Sequence, residues 1–152
     1  MVVEVNKTEQ PIVVDAAHQV AGRMASKIAK LLIEGRHVVV LNAETSLMSG
    51  SKKNIFAEYM QRKELKSIVN PINAPHRPKQ PNMILNRIIR GMLPRRKPKG
   101  QTAFKRLKVH IGIPTPYRSV EKMTFEDAKP RKQLSFYITI GEIAVSQGWR
   151  RR

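Results

Sequence analysis

Two short β-branched runs with an amphipathic helix between them constrain the fold of this chain more than anything else in it. Ile12-Val13-Val14 stops at Asp15, and Val38-Val39-Val40-Leu41 stops at Asn42. Runs this short, apolar at every position and bounded by polar residues, read as strands buried on both faces. After a turn around His18–Gly22, Met24, Ile28, Leu31 and Leu32 share a helical face with Ala25 and Ala29. Arg23, Ser26, Lys27 and Lys30 lie opposite, and Gly35 supplies the stop. Strand, helix and strand in about thirty residues make a βαβ unit, which requires a parallel sheet and a right-handed crossover.

The pattern continues unevenly. Residues 1–11 mix charges and end in Pro11, a loose lead-in. Ser46–Lys53 reads as a polar turn into a helix over 52–64, with Ile55, Phe56, Tyr59 and Met60 inward and a Glu58–Arg62 pair at i,i+4. Asn70 to Pro81 carries prolines at 71, 75, 78 and 81, which exclude helix and inner strand and leave an extended loop. A helix at about 82–93 follows, with Ile84, Leu85, Ile88, Ile89 and Met92 on one arc and Asn86, Arg87 and Arg90 opposite. It stops at Pro94. Pro94–Gly100 reads as an extended cationic arm that Pro98 and Gly100 keep from coiling. Phe104 and Leu107 lead into a strand at Lys108-Val109-His110-Ile111, closed by Gly112 and Pro114. The segment 116–131 has no period, and Thr139-Ile140-Gly141-Glu142 has the spacing of a capping box opening a last short helix. The chain ends in Trp149 and Arg150-Arg151-Arg152.

Charge divides the chain. The 152 residues carry a net +18, but residues 1–50 are neutral, 51–118 hold +15 and 119–152 hold +3. A field of that size opposes compactness unless a polyanion neutralises it, so a neutral scaffold half beside a nucleic-acid-facing half is expected. Arg95, Arg96, Lys97, Lys99, Lys105, Arg106 and Lys108 fall within fourteen positions. Arginine's planar fork suits bidentate phosphate contact and lysine acts as a point charge. No apolar run approaches the ~20 residues that span a bilayer, and the N-terminus has no secretory pattern, so no membrane partner is expected. The absence of cysteine removes disulfides and thiolate sites.

Catalytic readings fail on their residues. The turn at Ala21-Gly22-Arg23-Met24-Ala25 has one glycine, short of a dinucleotide fingerprint. Gly50-Ser51-Lys52-Lys53 lacks the upstream glycine and the hydroxyl that follows the lysine in a phosphate loop. Asp15, at the end of a strand, reads as capping the next turn. His18, His37, His76 and His110 form no ligand pair; His37 and His110 read as structural, and His76 as a candidate contact. No catalytic residue, metal, cofactor or small-molecule substrate is expected.

Longer matches are more specific. Asp15, Gly22-Arg23-Met24-Ala25-Ser26, Ala29-Lys30-Leu31-Leu32, Gly35 and Val38–Glu44 resemble the N-terminal half of the ribosomal protein L-thirteen (universal uL-thirteen) family. Asn70-Pro71 and Ala74-Pro75-His76-Arg77 match its following loop. Arg90-Gly91-Met92-Leu93-Pro94, Gly100, Ala103-Phe104, Arg106-Leu107-Lys108-Val109, Gly112 and Pro114 resemble its signature. The register runs from about 12 to 118. The chain departs from the family at Asn73-Ala74-Pro75, where Arg-Gly-Pro is common, and at Leu85-Asn86, where an aromatic is common. Gly112–Tyr117 and the short length are similar to the archaeal and eukaryotic branch, the archaeal side above all.

The resemblance implies a three-layer α/β/α fold with a small parallel sheet of about four strands, as a single domain with a core at 12–118 and a C-terminal extension at 119–152. It also implies rRNA binding on the solvent side of the large ribosomal subunit in the cytoplasm, neighbouring ribosomal proteins as partners, a role in subunit assembly, and no catalysis. The expected RNA contacts are Lys52, Lys53, His76, Arg77, Lys79, Arg87, Arg90, Arg95, Arg96, Lys97, Lys99, Lys105, Arg106, Lys108 and Arg118. The rivals are a nucleotide-dependent RNA-processing enzyme on the same scaffold and a free-standing RNA-binding module.

Overall fold

In the computed structural model, which describes residues 10–67, 69–70, 72 and 74–150, the two β-branched runs lie side by side. The lead-in at residues 1–9, Pro71 and Asn73 of the loop, and Arg151 and Arg152 are outside the described residues. Strand β1 (Ile12–Asp15) pairs in parallel with β2 (Val38–Leu41), Ile12 against Val38. Helix α1 (Ala21–Ile33) makes the crossover. Gly35 ends it in the left-handed region at φ 102°, its N–H donating to the Leu32 carbonyl, a conformation that favours glycine.

The sheet gains a third strand from far along the chain. β4 (Leu107–Val109) pairs in parallel with β2, giving the order β1-β2-β4. On the outer side of β1 a single residue, Met123, makes a parallel bridge to Val14. Its N–H donates to the Val13 carbonyl and its carbonyl accepts from Asp15 N–H. Three strands and one bridge therefore stand where about four strands are expected. The segment around Met123 has no period because it holds only that bridge and two single turns, at Thr115–Tyr117 and Glu126–Ala128.

Alternation divides the sheet into two faces. Val14, Val38 and Val40 join the main core with Met24, Ile28 and Leu32 of α1, Leu85 and Ile89 of α3 (Pro81–Gly91), and Ile140 and Ile143 of α5 (Ile140–Ser146). Val13, Val39 and Leu41 face the other way, under Ile113 and Tyr117. The α/β class holds. On the second face Ile113 and Tyr117 cover the apolar strand residues, and Lys108, in register with Val39, is exposed there.

Three further expectations change. Ser46–Lys53 is not only a turn. It contains β3 (Leu47–Ser49), antiparallel to β5 (Tyr137–Thr139), with the buried Ser46 hydroxyl donating to the Ala43 carbonyl. Helix α2 spans Lys52–Glu64 as expected, but only Ile55 is buried and Met60 is exposed, since α5 alone among the helices packs closely against α2. Met92 is exposed too, at the C-cap just beyond the end of α3.

The arm departs most. Pro94–Lys97 is a tight turn and Pro98 opens a helix, α4 (Pro98–Lys105). Proline at the first helical position loses no hydrogen bond and brings a helical φ, so Pro98 starts the coil it was expected to prevent.

The last helix starts as its spacing requires. The Thr139 side chain accepts from Glu142 N–H at 3.1 Å, a cap worth about 1 kcal/mol. The C-terminal stretch belongs to the interior: Ile138, Ile140, Ile143 and Ala144 lie in the main core cluster.

Candidate nucleic-acid interface

Helix α3 commits one side to the core through Ile84, Leu85 and Ile89, so Arg87 and Arg90 point along the other. Leu93 then anchors the exit, buried to 5% exposure. A chain of backbone bonds folds the following residues into a knot: Arg95 N–H to Leu93 O, Lys97 N–H to Pro94 O, and Gly100 N–H to Lys97 O. Arg95, Arg96 and Lys97 are all exposed on it. With Arg87 and Arg90 they line a groove of about 550 Å³ around Gly91, and no acidic side chain lines it. Among the described residues, none of these five cations forms an ion pair within the chain.

Two glycines serve this knot differently. A Cβ on Gly100 would sit 2.6 Å from the Pro94 carbonyl carbon and nearer still to its oxygen. The knot can therefore close on α4 only over a glycine. A Cβ on Gly91 would meet nothing within 4 Å, so the sheet does not approach Gly91, and the space above it belongs to the groove.

Arg87 ties the groove to the proline-rich loop by donating to the His76 carbonyl at 2.5 Å. Partial burial lowers its pKa, and the like charges of Arg90 and Arg77 lower it further. An anion settling here would relieve that repulsion.

The other expected contacts do not share this groove. Lys105, Arg106 and Lys108 line a separate hollow with Pro11, His37 and Tyr117 beside the second sheet face. Arg106 also reaches the carbonyl of Leu32, at 3.5 Å, near the end of α1, where a cation complements the helix terminus. Lys99 stands exposed on the first turn of α4, and His76 and Arg118 are exposed on loops. Lys79 lines a shallow hollow with Trp149 and Arg150, and Arg77 is half-buried beside Tyr59.

Lys52 and Lys53 lie at the start of α2, in a groove with Arg23, Arg131 and Lys132. Lys52 is ion-paired to Glu142 at 3.2 Å, a surface pair worth about 0–1 kcal/mol. Arg23, Arg131 and Lys132 are basic groove residues that sequence reasoning missed. Arg23 sits on a polar helix face, which reads as solvated, and the other two sit in or beside a stretch without period.

Asp15, weighed as catalytic or capping, caps. Its Oδ1 accepts from Ala17 N–H at 3.0 Å and from Asn42 Nδ2 at 2.9 Å. The expected Glu58–Arg62 pair forms on α2.

The family model described as Ribosomal protein L13 matches residues 9–116. The large ribosomal subunit protein uL13 of Sulfurisphaera tokodaii is 43% identical over 142 residues, 93% of this chain and 97% of that protein. Its counterparts in Methanosphaera stadtmanae and Methanocaldococcus jannaschii are 40% and 38% identical over 137 residues, each covering 90% of this chain and 96% of the relative.

Proposed function

This chain belongs to the ribosomal protein L13 family, in its archaeal branch, and on that premise we propose that it is a structural constituent of the large ribosomal subunit that binds rRNA. It works there in the cytoplasm, without catalysis, supporting subunit assembly and translation beside neighbouring ribosomal proteins. The observation that carries the RNA-binding surface is the groove of Arg87, Arg90, Arg95, Arg96 and Lys97, whose charges have no acidic partner among the described residues.

The neutral βαβ half is the scaffold, and it holds the basic elements at fixed angles. Cations on a helix face and a glycine-closed knot meet phosphates at set positions, so the surface reads the shape of a folded RNA. The hollow of Lys105, Arg106 and Lys108 and the groove of Lys52 and Lys53 give two further contact areas on other sides. His76, Arg77, Lys79, Lys99 and Arg118 complete the proposed contacts. Cations spread over several sides suit a protein wedged between RNA segments.

Phosphate contact predicts the salt response. Each phosphate neutralised contributes about −0.7 to −0.9 to the slope of log affinity against log salt, so five contacts give about −4. Filter binding of purified protein to large-subunit rRNA between low and moderate salt measures it. A slope near zero would contradict the proposal.

A further inference from the structure

A cavity of about 210 Å³ opens between α2, α3 and the loop at Arg77-Pro78, next to the phosphate groove. The two share Arg87, which lines both. Apolar surface comes from Tyr59, Pro78, Ile84 and Ile88, and the guanidinium groups of Arg62 and Arg77 join that of Arg87 around it. Arg62 lies over the Tyr59 ring, 5.6 Å from its centroid, so α2 contributes a flat aromatic and guanidinium surface. Tyr59 stays neutral: its hydroxyl donates to the Met48 sulfur, and burial raises its pKa.

The lining includes a donor without an acceptor. Gln147, 3% exposed, lines the cavity, and its Nε2 has no hydrogen-bond partner; neither has Nε of Arg77. Buried polar groups in folded proteins are normally paired, so an occupant should bring acceptors to this end and planar apolar surface to the walls. It should also be small, since the volume falls below the roughly 300–1,000 Å³ of pockets for drug-sized ligands.

We infer that the cavity takes one unstacked nucleobase of the bound RNA, with an edge acceptor on Gln147 and the attached phosphate on Arg77 and Arg87. The inference deepens the rRNA-binding reading and rests on it. Single-stranded loops and bulges present such bases, which stack on aromatic and arginine planes. An aliphatic side chain from a protein neighbour would fill the walls but leave Gln147 and Arg77 unpaired. Arg87 joins the two sites, so a backbone tracking through the groove would deliver the base to the cavity.

The test compares two RNA hairpins, identical except that one carries a single-nucleotide bulge, binding to the full-length chain. The protein should prefer the bulged hairpin by about tenfold, the scale of one stacked base. Gln147→Leu keeps the size and removes the donor, and Ile88→Trp fills the cavity from a half-buried position. Each, once shown by circular dichroism to be folded, should cut the preference below about twofold while leaving the affinity for the hairpin without the bulge unchanged. Equal affinity of the unaltered protein for both hairpins overturns the inference but not rRNA binding. So does a folded Gln147→Leu or Ile88→Trp protein that keeps its preference. If Gln147→Leu keeps it and yet fails to enter large subunits, the inference is overturned in favour of a protein side chain in the cavity. Binding to neither hairpin at low salt overturns the RNA-binding reading, and the cavity's role with it.

Discussion

Changing Arg95, Arg96 and Lys97 together to glutamate should abolish incorporation into large subunits and leave the fold intact. The three side chains stand exposed on the turn between α3 and α4, and none forms an ion pair among the described residues. Their replacement therefore breaks no ion pair among the described residues. Each lost attraction to a phosphate about 4 Å away is worth about 1 kcal/mol at high dielectric. Three of them cost roughly a hundredfold in affinity, and the new repulsions add to it. Thermal unfolding of the purified variant should match that of the unaltered protein, while gradient profiles should show it missing from large subunits. Normal subunit profiles would show that the groove does not hold the chain in the subunit.

The second large effect is on stability and comes from a residue without a charge. Gly100→Ala places a methyl group against the Pro94 carbonyl, 2.6 Å from its carbon. Overpacking usually costs about 1–3 kcal/mol, and the neighbour here is backbone closed in its own hydrogen bonds, so the upper end is expected. For a chain of this length about 3 kcal/mol lowers Tm by roughly 10 °C. RNA affinity should fall as well, because Arg95–Lys97 move when the knot opens. Gly91→Ala is the control. With nothing within 4 Å of the added carbon, stability should hold or rise by up to about 1 kcal/mol, as it does when a helical glycine becomes alanine. Equal losses at the two positions would mean that the Pro94 contact is unimportant.

What could be read from the sequence follows from how local each cause is. The strands at Ile12–Asp15 and Val38–Leu41 declare themselves because every residue is apolar or bounds the run, and α1 because its period is unbroken. Thr139 and Glu142 announce a helix start through a contact three residues apart. By contrast, β3 and β5 are three residues each and pair across some ninety positions, so neither carries a pattern of its own. Pro98 is ambiguous by nature, since the same ring that ends a helix also begins one. Its meaning here depends on Gly100 fitting under Pro94, a contact visible only in three dimensions.

The charged stretch was legible as a whole and not in its parts. Arg95, Arg96 and Lys97 share one groove with Arg87 and Arg90, whereas Lys105, Arg106 and Lys108 pass to another side of the sheet. Lys105 and Arg106 close α4, and strand β4 then carries Lys108 to the second face. Arg23, Arg131 and Lys132 converge on Lys52 and Lys53 from distant segments, and nothing in their neighbourhoods announces it. Gln147 is more hidden still: it reads as a polar residue near a helix end, and only packing shows it buried with its amide unpaired.

A built-in part of the large subunit, held through rRNA phosphates, should stay with that subunit when it is isolated. Sedimenting a cell extract through a gradient at moderate salt, and following the chain by antibody or mass spectrometry, tests it most directly. The chain should travel with large subunits and complete ribosomes in near-equal proportion to other large-subunit proteins. If it stays at the top of the gradient while those subunits are intact, it is not a constituent of the large subunit.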